Sequence, residues 1–421
     1  MLGLCFEGIE RLGKEYPEEL KQNPIGRELL MTWMGKAQQI RRQNMKVNAV
    51  AGKLFSMLRE DGLRCCILKG QGNALMYPNP YSRTPGDIDV WIDASRERIM
   101  EYAQKKFELG DDIRLQHLET SLDGVPVELH FFPCSMNNPI YHARLQKWFR
   151  RNADLQCSNV VKLPDGAGDI AIPTTAFNVV YQLTHLYHHF FDEGIGMRQI
   201  IDYFLVVNDF SKNVFLDHDL SNHPVNFSNH PVPLSKEGST FSPSPSSSGS
   251  GDVTAPSRCS EPLRSKDGGP SKVSPDCAGW DRRGVSGDIA SDASVSSAFT
   301  TDSSASTALV VVQRELKYLG LWKFAGAVMY VLKEVLGLAE DKMIVPMDEK
   351  RGRLLLAEIL DGGNFGRHFT KYAGFTHQSM GKKYFLKIWR NMHFVRYYPA
   401  EALCEPLFRT WHFFWRLKYK K

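Results

Sequence analysis

The segment Thr84-Pro-Gly-Asp-Ile-Asp-Val-Trp-Ile92 constrains the fold more than any other stretch of the chain. Pro85 and Gly86 make a turn that delivers the chain into an apolar strand. Side chains on a strand alternate between faces, so Ile88, Val90 and Ile92 point one way and the carboxylates of Asp87 and Asp89 point the other way together. A buried pair of like charges costs several kcal/mol unless something neutralises it. A divalent cation with oxygen ligands is the usual solution, because such ions keep open positions for phosphates. A polar strand end at a sheet edge is the plainer alternative.

The flanking sequence extends this core. Residues 63–70 read as a short apolar strand ending at Lys69-Gly70, and Gln71–Tyr77 suits a short helix or turn. A strand that ends in glycine at a helix start leaves backbone N–H groups free for a phosphate. Lys69 and Arg83 add positive charge close by, with a solvated surface cation as the plain reading of each. Downstream, Gln116–Leu122, Asp123-Gly124 and Val125–Phe131 read as a β-hairpin, since Asp-Gly is a strong two-residue turn signal. In its second strand Val127, Leu129 and Phe131 share one face, and Glu128 and His130 share the other. If that strand lies beside the Asp87–Asp89 strand, Glu128 becomes a third carboxylate at one site. Pro126 cannot donate to a ladder, so it belongs at the strand start or at an edge.

These residues resemble a known family. Leu68-Lys-Gly70, a Tyr-Pro step, Arg83, Gly86-Asp-Ile-Asp89 and Val127-Glu-Leu-His130 look like the uncharacterised nucleotidyltransferase family of the DNA polymerase β-like superfamily. The resemblance continues through His185-Leu-Tyr-His-His189 and Gly196-Met-Arg-Gln-Ile-Ile-Asp202. It covers most of residues 25–210, and 308–420 more loosely. It implies an α+β fold: a small mixed β-sheet core with flanking helices and a mainly helical C-terminal region. It also implies Asp87, Asp89 and Glu128 as metal-holding catalytic acids for Mg²⁺, with Mn²⁺ as the alternative, and Gly70 in the nucleotide-binding turn. Lys69, Gly86 and Arg83 would join Gly70 around a nucleoside triphosphate such as ATP. Lys69-Gly70-Gln71 stands where the wider superfamily has Gly-Gly or Gly-Ser, and the gap to Asp87 is long.

The expected reaction moves a nucleoside monophosphate to an acceptor hydroxyl with loss of pyrophosphate. The acceptor could be a small molecule, a sugar, a protein or an RNA end. A catalytically degenerate nucleotide- or protein-binding module on the same fold is the alternative, supported by the missing Gly-Ser. A metal-dependent phosphohydrolase using the same carboxylates is a third reading.

Organisation follows from composition shifts. An N-terminal helical region spans 1–62, and within it Leu29, Leu30, Trp33, Met34, Val50, Leu54, Met57 and Leu58 recur at helical spacing. The α/β core spans 63–165, with helices expected near Ser95–Phe107 and 139–151. A helical region spans 166–210, and a helical C-terminal region 309–421. Between them, residues 211–308 lose hydrophobic periodicity, repeat Ser-Asn-His-Pro-Val at 221 and 228, and run into Ser/Pro/Gly-rich sequence. Too little apolar surface exists there to offset the entropy of ordering, so a disordered insertion is expected, with no evident partner.

His185, His188 and His189 fall close to one helix face, with Asp192 a turn further on. Core or cleft histidines are the favoured reading over a zinc site. His130, His185, His189 and Arg198 are candidates for the cleft, although Arg198 and Asp202 at i,i+4 also fit an intrahelical salt bridge. Asp361-Gly-Gly-Asn-Phe-Gly366 reads as a helix C-cap, since no strand precedes it and no Lys-Ser/Thr follows. The basic aromatic end, 383–421, reads as an amphipathic helix.

The eight cysteines include no Cys-x-x-Cys and suit reduced thiols. A net charge of +5 is too mild to require a nucleic-acid partner. The first ten residues lack a basic leader, and no apolar run is long enough to span a bilayer, so a cytoplasmic location is expected.

Overall fold

The computed structural model describes residues 2–109, 114–221, 304–362 and 380–419. Helices α1 (Leu2–Glu15), α2 (Pro17–Gln22) and α3 (Arg27–Glu60) lead into β1 (Cys65–Ile67) and the short α4 (Gly70–Ala74). Next come β2 (Ile88–Ile92), α5 (Arg96–Lys106), β3 (His117–Leu122) and β4 (Val125–His130). They are followed by α6 (Pro139–Ser158), β5 (Val160–Lys162), β6 (Asp169–Ala171), α7 (Thr175–Asp192) and α8 (Met197–Ser221). The C-terminal part is helical: α9 (Ser304–Tyr318), α10 (Trp322–Leu336), α11 (Glu349–Gly362), α12 (Met380–Met392), α13 (Pro399–Ala402) and α14 (Glu405–Tyr419). The fold is thus α+β, as expected.

The main sheet is mixed and runs β1-β2-β4-β3. The β3–β4 hairpin closes through Asp123 (φ 50°) and Gly124 (φ 70°). Two successive positive φ values are what a tight hairpin turn needs, and they follow the strand twist. That turn fixes the register from Leu122↔Val125 back to His117↔His130. On its other side β4 lies parallel to β2, with Asp89 opposite Glu128. Pro126 pairs only with β3 and precedes the first β2 partner, Val127, so its missing N–H removes nothing from the parallel ladder.

Strand alternation feeds two cores. Cys65, Ile67, Ile88, Val90, Ile92, Val127 and Leu129 pack against Val47, Val50, Leu54, Phe55 and Leu58 of α3 and against Ile99 of α5. Each such side chain stabilises by about 1.5–3 kcal/mol when buried. The opposite face sends Cys66 and Trp91 into a larger core with α6, α7, α8, α9, α10 and α11. Trp91 stacks on Phe177, and Phe177 on Trp148, with ring centroids 6.3 and 4.5 Å apart. Adjacent Cys65 and Cys66 therefore serve different cores. In α3 the buried residues begin at Ile40, and Leu29, Leu30 and Met34 remain exposed on the first half of that helix.

Gly52 of α3 carries a close approach. A Cβ there would lie 2.1 Å from the Ala167 carbonyl oxygen, so only glycine lets α3 seat against the turn before β6.

Helix α8 runs on to Ser221 and α9 starts at Ser304, so helix intrudes on both ends of the tract expected to begin at 211 and end at 308. The remainder of that tract, 222–303, lies outside the described residues, as does Gly363–Gly366 of the glycine-rich cap. No described helix is long and apolar enough to cross a membrane.

Candidate active site

The turn after β1, the approach to β2, the polar side of β2, β4 and β3, and one face of α7 surround a cleft of about 290 Å³. Lys69, Gly70, Arg83, Gly86, Asp87, Asp89, Glu128, His130, His185, His189 and Arg198 all line it. Residues distant in sequence, and singled out from sequence alone, are therefore brought to one place.

The register explains the centre. Asp89 and Glu128 face each other across β2 and β4, and His130 and His117 across β4 and β3. His130 Nε2 lies 3.1 Å from both Asp89 Oδ1 and Glu128 Oε2. Lys69 Nζ lies 3.0 Å from Asp89 Oδ1 and 3.0 Å from His185 Nε2. His185 Nε2 in turn meets His189 Nε2 at 3.2 Å. Asp87 stands just before β2. Gly70 takes φ 48°, and a Cβ there would be 3.7 Å from the Asp87 carbonyl oxygen.

The electrostatics of the three acids differ. Burial, then the charges of Asp89 and Glu128, push the Asp87 carboxyl up to about 6. Burial acts the same way on Asp89, but the Lys69 ammonium and the His130 hydrogen bond outweigh it and hold that group well below the usual carboxylate range. Glu128 is also lowered, its burial being outweighed by His130 and His117. Burial opposes charge on His130, yet its hydrogen bonds to Asp89 and Glu128 raise it to about 9. Burial and the neighbouring Lys69 hold His185 well below its ordinary value, so its neutral ring can accept from the ammonium.

The donor set suits a divalent cation. Two carboxylate oxygens approach one nitrogen, and a third carboxyl is raised by burial and like charge that Lys69 offsets only in part. Asp87, Asp89 and Glu128 are the residues that would hold such an ion.

Arg83 is not the solvated surface cation of its plain reading. Its guanidinium is buried and grips Asp202 of α8 at two points, Nε–Oδ1 2.9 Å and Nη2–Oδ2 2.8 Å. Tyr77 Oη also donates to Asp202 Oδ1 at 2.7 Å. The Asp202 carboxylate is thus taken by Arg83 rather than by Arg198 one helical turn before it. Arg198 lines the cleft instead. Asp192, at the end of α7, meets Lys387 of α12 at 2.9 Å and Arg409 of α14 at 3.1 Å. The C-terminal helices therefore hold the α7 wall of the cleft.

His117 was not anticipated. It opens β3 and lines the cleft beside His130, with ring centroids 5.0 Å apart. Its signal was present in the hairpin, because counting back from the Asp123-Gly124 turn pairs residue 117 with 130.

A family model described as an uncharacterised nucleotidyltransferase matches residues 1–222, over half of the chain. No curated protein and no solved structure matches.

Proposed function

The chain belongs to the uncharacterised nucleotidyltransferase family, and on that premise we propose that it moves a nucleoside monophosphate from a nucleoside triphosphate to an acceptor hydroxyl. The observation that carries this reading is the meeting of Asp87, Asp89 and Glu128 in one cleft with the Lys69-Gly70 turn. The acceptor oxygen attacks the α-phosphorus, the bond from that phosphorus to pyrophosphate breaks, and the hydroxyl proton passes to a carboxylate of the cleft. Mg²⁺ or Mn²⁺ held by Asp87, Asp89 and Glu128 would stabilise the attacking and leaving oxygens of this in-line displacement.

Other residues position the reactants. Lys69 uses two of its three donors on Asp89 and His185, which leaves one for a phosphate oxygen. Arg198 contributes positive charge to the cleft for the triphosphate. Arg83 acts through Asp202, as a strut that holds the chain leading into Gly86-Asp87 against α8. Gly70 supplies a backbone turn without a side chain beside the Asp87 carbonyl.

One observation favours a second reading, a binding module with a degenerate site. Asp89 is already neutralised within the chain by Lys69 and His130. Pyrophosphate release with Mg²⁺, each nucleoside triphosphate and a panel of hydroxyl acceptors separates the two. Wild type should release pyrophosphate and label an acceptor, and Asp87→Asn/Asp89→Asn should do neither. Nucleotide binding without transfer to any acceptor would favour the module.

A further inference from the structure

His117 reaches the cleft without a hydrogen bond: both ring nitrogens are sealed from solvent and neither is satisfied. A neutral imidazole offers one donor and one acceptor, and leaving both unmade in a buried place is unfavourable. Its Nδ1 lies 3.4 Å from Glu128 Oε2. Glu128 Oε2 lies 3.1 Å from His130 Nε2, which lies 3.1 Å from Asp89 Oδ1. One ligand atom from each of His117, Glu128 and His130 falls within 4.8 Å of the others. Atoms bound at about 2.0–2.2 Å to a single ion stand roughly 3–3.5 Å apart in tetrahedral or octahedral arrangements. The contacts along this row have that spacing.

We propose that His117, Glu128 and His130, with Asp89 beside them, form a site for a first-row transition-metal dication of the Zn²⁺ or Co²⁺ kind. This site prefers such an ion to Mg²⁺. It refines the cleft of the nucleotidyl-transfer reading and rests on that reading for its catalytic meaning. Two imidazoles with one carboxylate suit borderline metals, whereas Mg²⁺ favours an all-oxygen shell and keeps its waters. Asp87 lies at the other side of Asp89 in sequence and remains an oxygen donor for a hard ion. The cleft then holds two unlike cation positions that share the Asp89–Glu128 pair. Ligation by His130 Nε2 displaces the proton that this nitrogen turns toward Asp89 and Glu128 and leaves the ring's other proton on Nδ1.

The test uses the full chain, stripped with EDTA and titrated with CoCl₂. Wild type should develop visible d–d absorption at one equivalent and bind Co²⁺ at least a hundredfold more tightly than Mg²⁺ in competition. His117→Gln should weaken Co²⁺ at least tenfold and change the absorption, while Mg²⁺ binding shifts less than twofold. X-ray absorption on Zn²⁺-loaded wild type needs no variant and should show two imidazoles in the metal shell. An all-oxygen shell, no visible absorption, or unchanged Co²⁺ affinity in His117→Gln would overturn the proposal. Co²⁺ absorption in a protein that never turns over a nucleotide would support this site and sink the transfer reading. Mg²⁺-driven turnover without Co²⁺ absorption would do the reverse.

Discussion

Arg83 and Asp202 form a buried ion pair joined at two points, 2.9 and 2.8 Å long, which ties the chain entering β2 to α8. Removing one partner leaves the other charge buried and uncompensated, which costs about 3–5 kcal/mol. Arg83→Ala and Asp202→Ala should each lower the free energy of unfolding measured with denaturant by that amount. The double variant should lose much less than the sum of the two. Additive losses would mean that the pair is not coupled.

Acid should attack the same pair. Burial works against the Asp202 charge, but Arg83 outweighs it and lowers the carboxyl from its usual 3.8. A depressed folded-state value gives stability that is fully present above the unfolded value and is lost as pH falls through the folded one. Stability should therefore drop below about pH 4, and the drop should be shallower in Asp202→Asn. Equal slopes in equilibrium unfolding between pH 5 and pH 2 would remove Asp202 from the explanation.

The Asp87 carboxyl is raised by burial and by its neighbours Asp89 and Glu128, so its charge is held against stability. Asp87→Asn should leave the unfolding midpoint equal or higher, while nucleotidyl transfer falls about a hundredfold or more. A fall in both would mark Asp87 as a structural residue.

Glu401 gives a pH response of the opposite sign. It is buried, accepts from the backbone N–H groups of Asn137 and Asn138, and neighbours Glu405. Burial pushes it up to about 7 against the help of those two N–H groups. A raised folded-state value means stability present below the unfolded value of 4.5 and lost as pH climbs through about 7. The loss is on the order of 3 kcal/mol. Hydrogen exchange in α13 and α14, corrected for its intrinsic pH dependence, should show weaker protection at pH 8 than at pH 5. Glu401→Gln should flatten that difference.

Two glycines of α3 should respond oppositely to alanine. At Gly52 the new Cβ meets a backbone carbonyl that cannot move cheaply, so Gly52→Ala should destabilise by about 1–3 kcal/mol. At Gly35 an added Cβ would meet nothing within 4 Å beyond the helix's own backbone, so Gly35→Ala should stabilise by about 0.5–1 kcal/mol through helix propensity. Thermal melting of the two variants decides both.

What was legible in the sequence was local. Alternation marked β2 and β4, and Asp123-Gly124 marked the hairpin, because one or two residues dictate those conformations. The parallel pairing of β2 with β4 brings Asp89 to Glu128 across the whole of α5 and β3, and local pattern made it only conditional. The Arg83–Asp202 pair was hidden for a similar reason. A helical neighbour at i,i+4 suggests itself from spacing, whereas a buried partner 119 positions away does not. Helix α8 continues to Ser221, past residue 211 where the regular apolar period fades.

The larger core is built from both sides of residues 222–303. Tyr187 of α7 meets Phe324 of α10 at 4.7 Å, and Phe190 meets Phe394 at 4.4 Å. The boundary of the family match at residue 222 is therefore not a seam in the protein. A chain cut short there should be insoluble, because the faces of α7 and α8 that meet α9 and α10 would be bare. Segments 1–221 and 304–421 made as separate polypeptides should instead find each other and co-purify. What has to be kept together is the packing between the two segments.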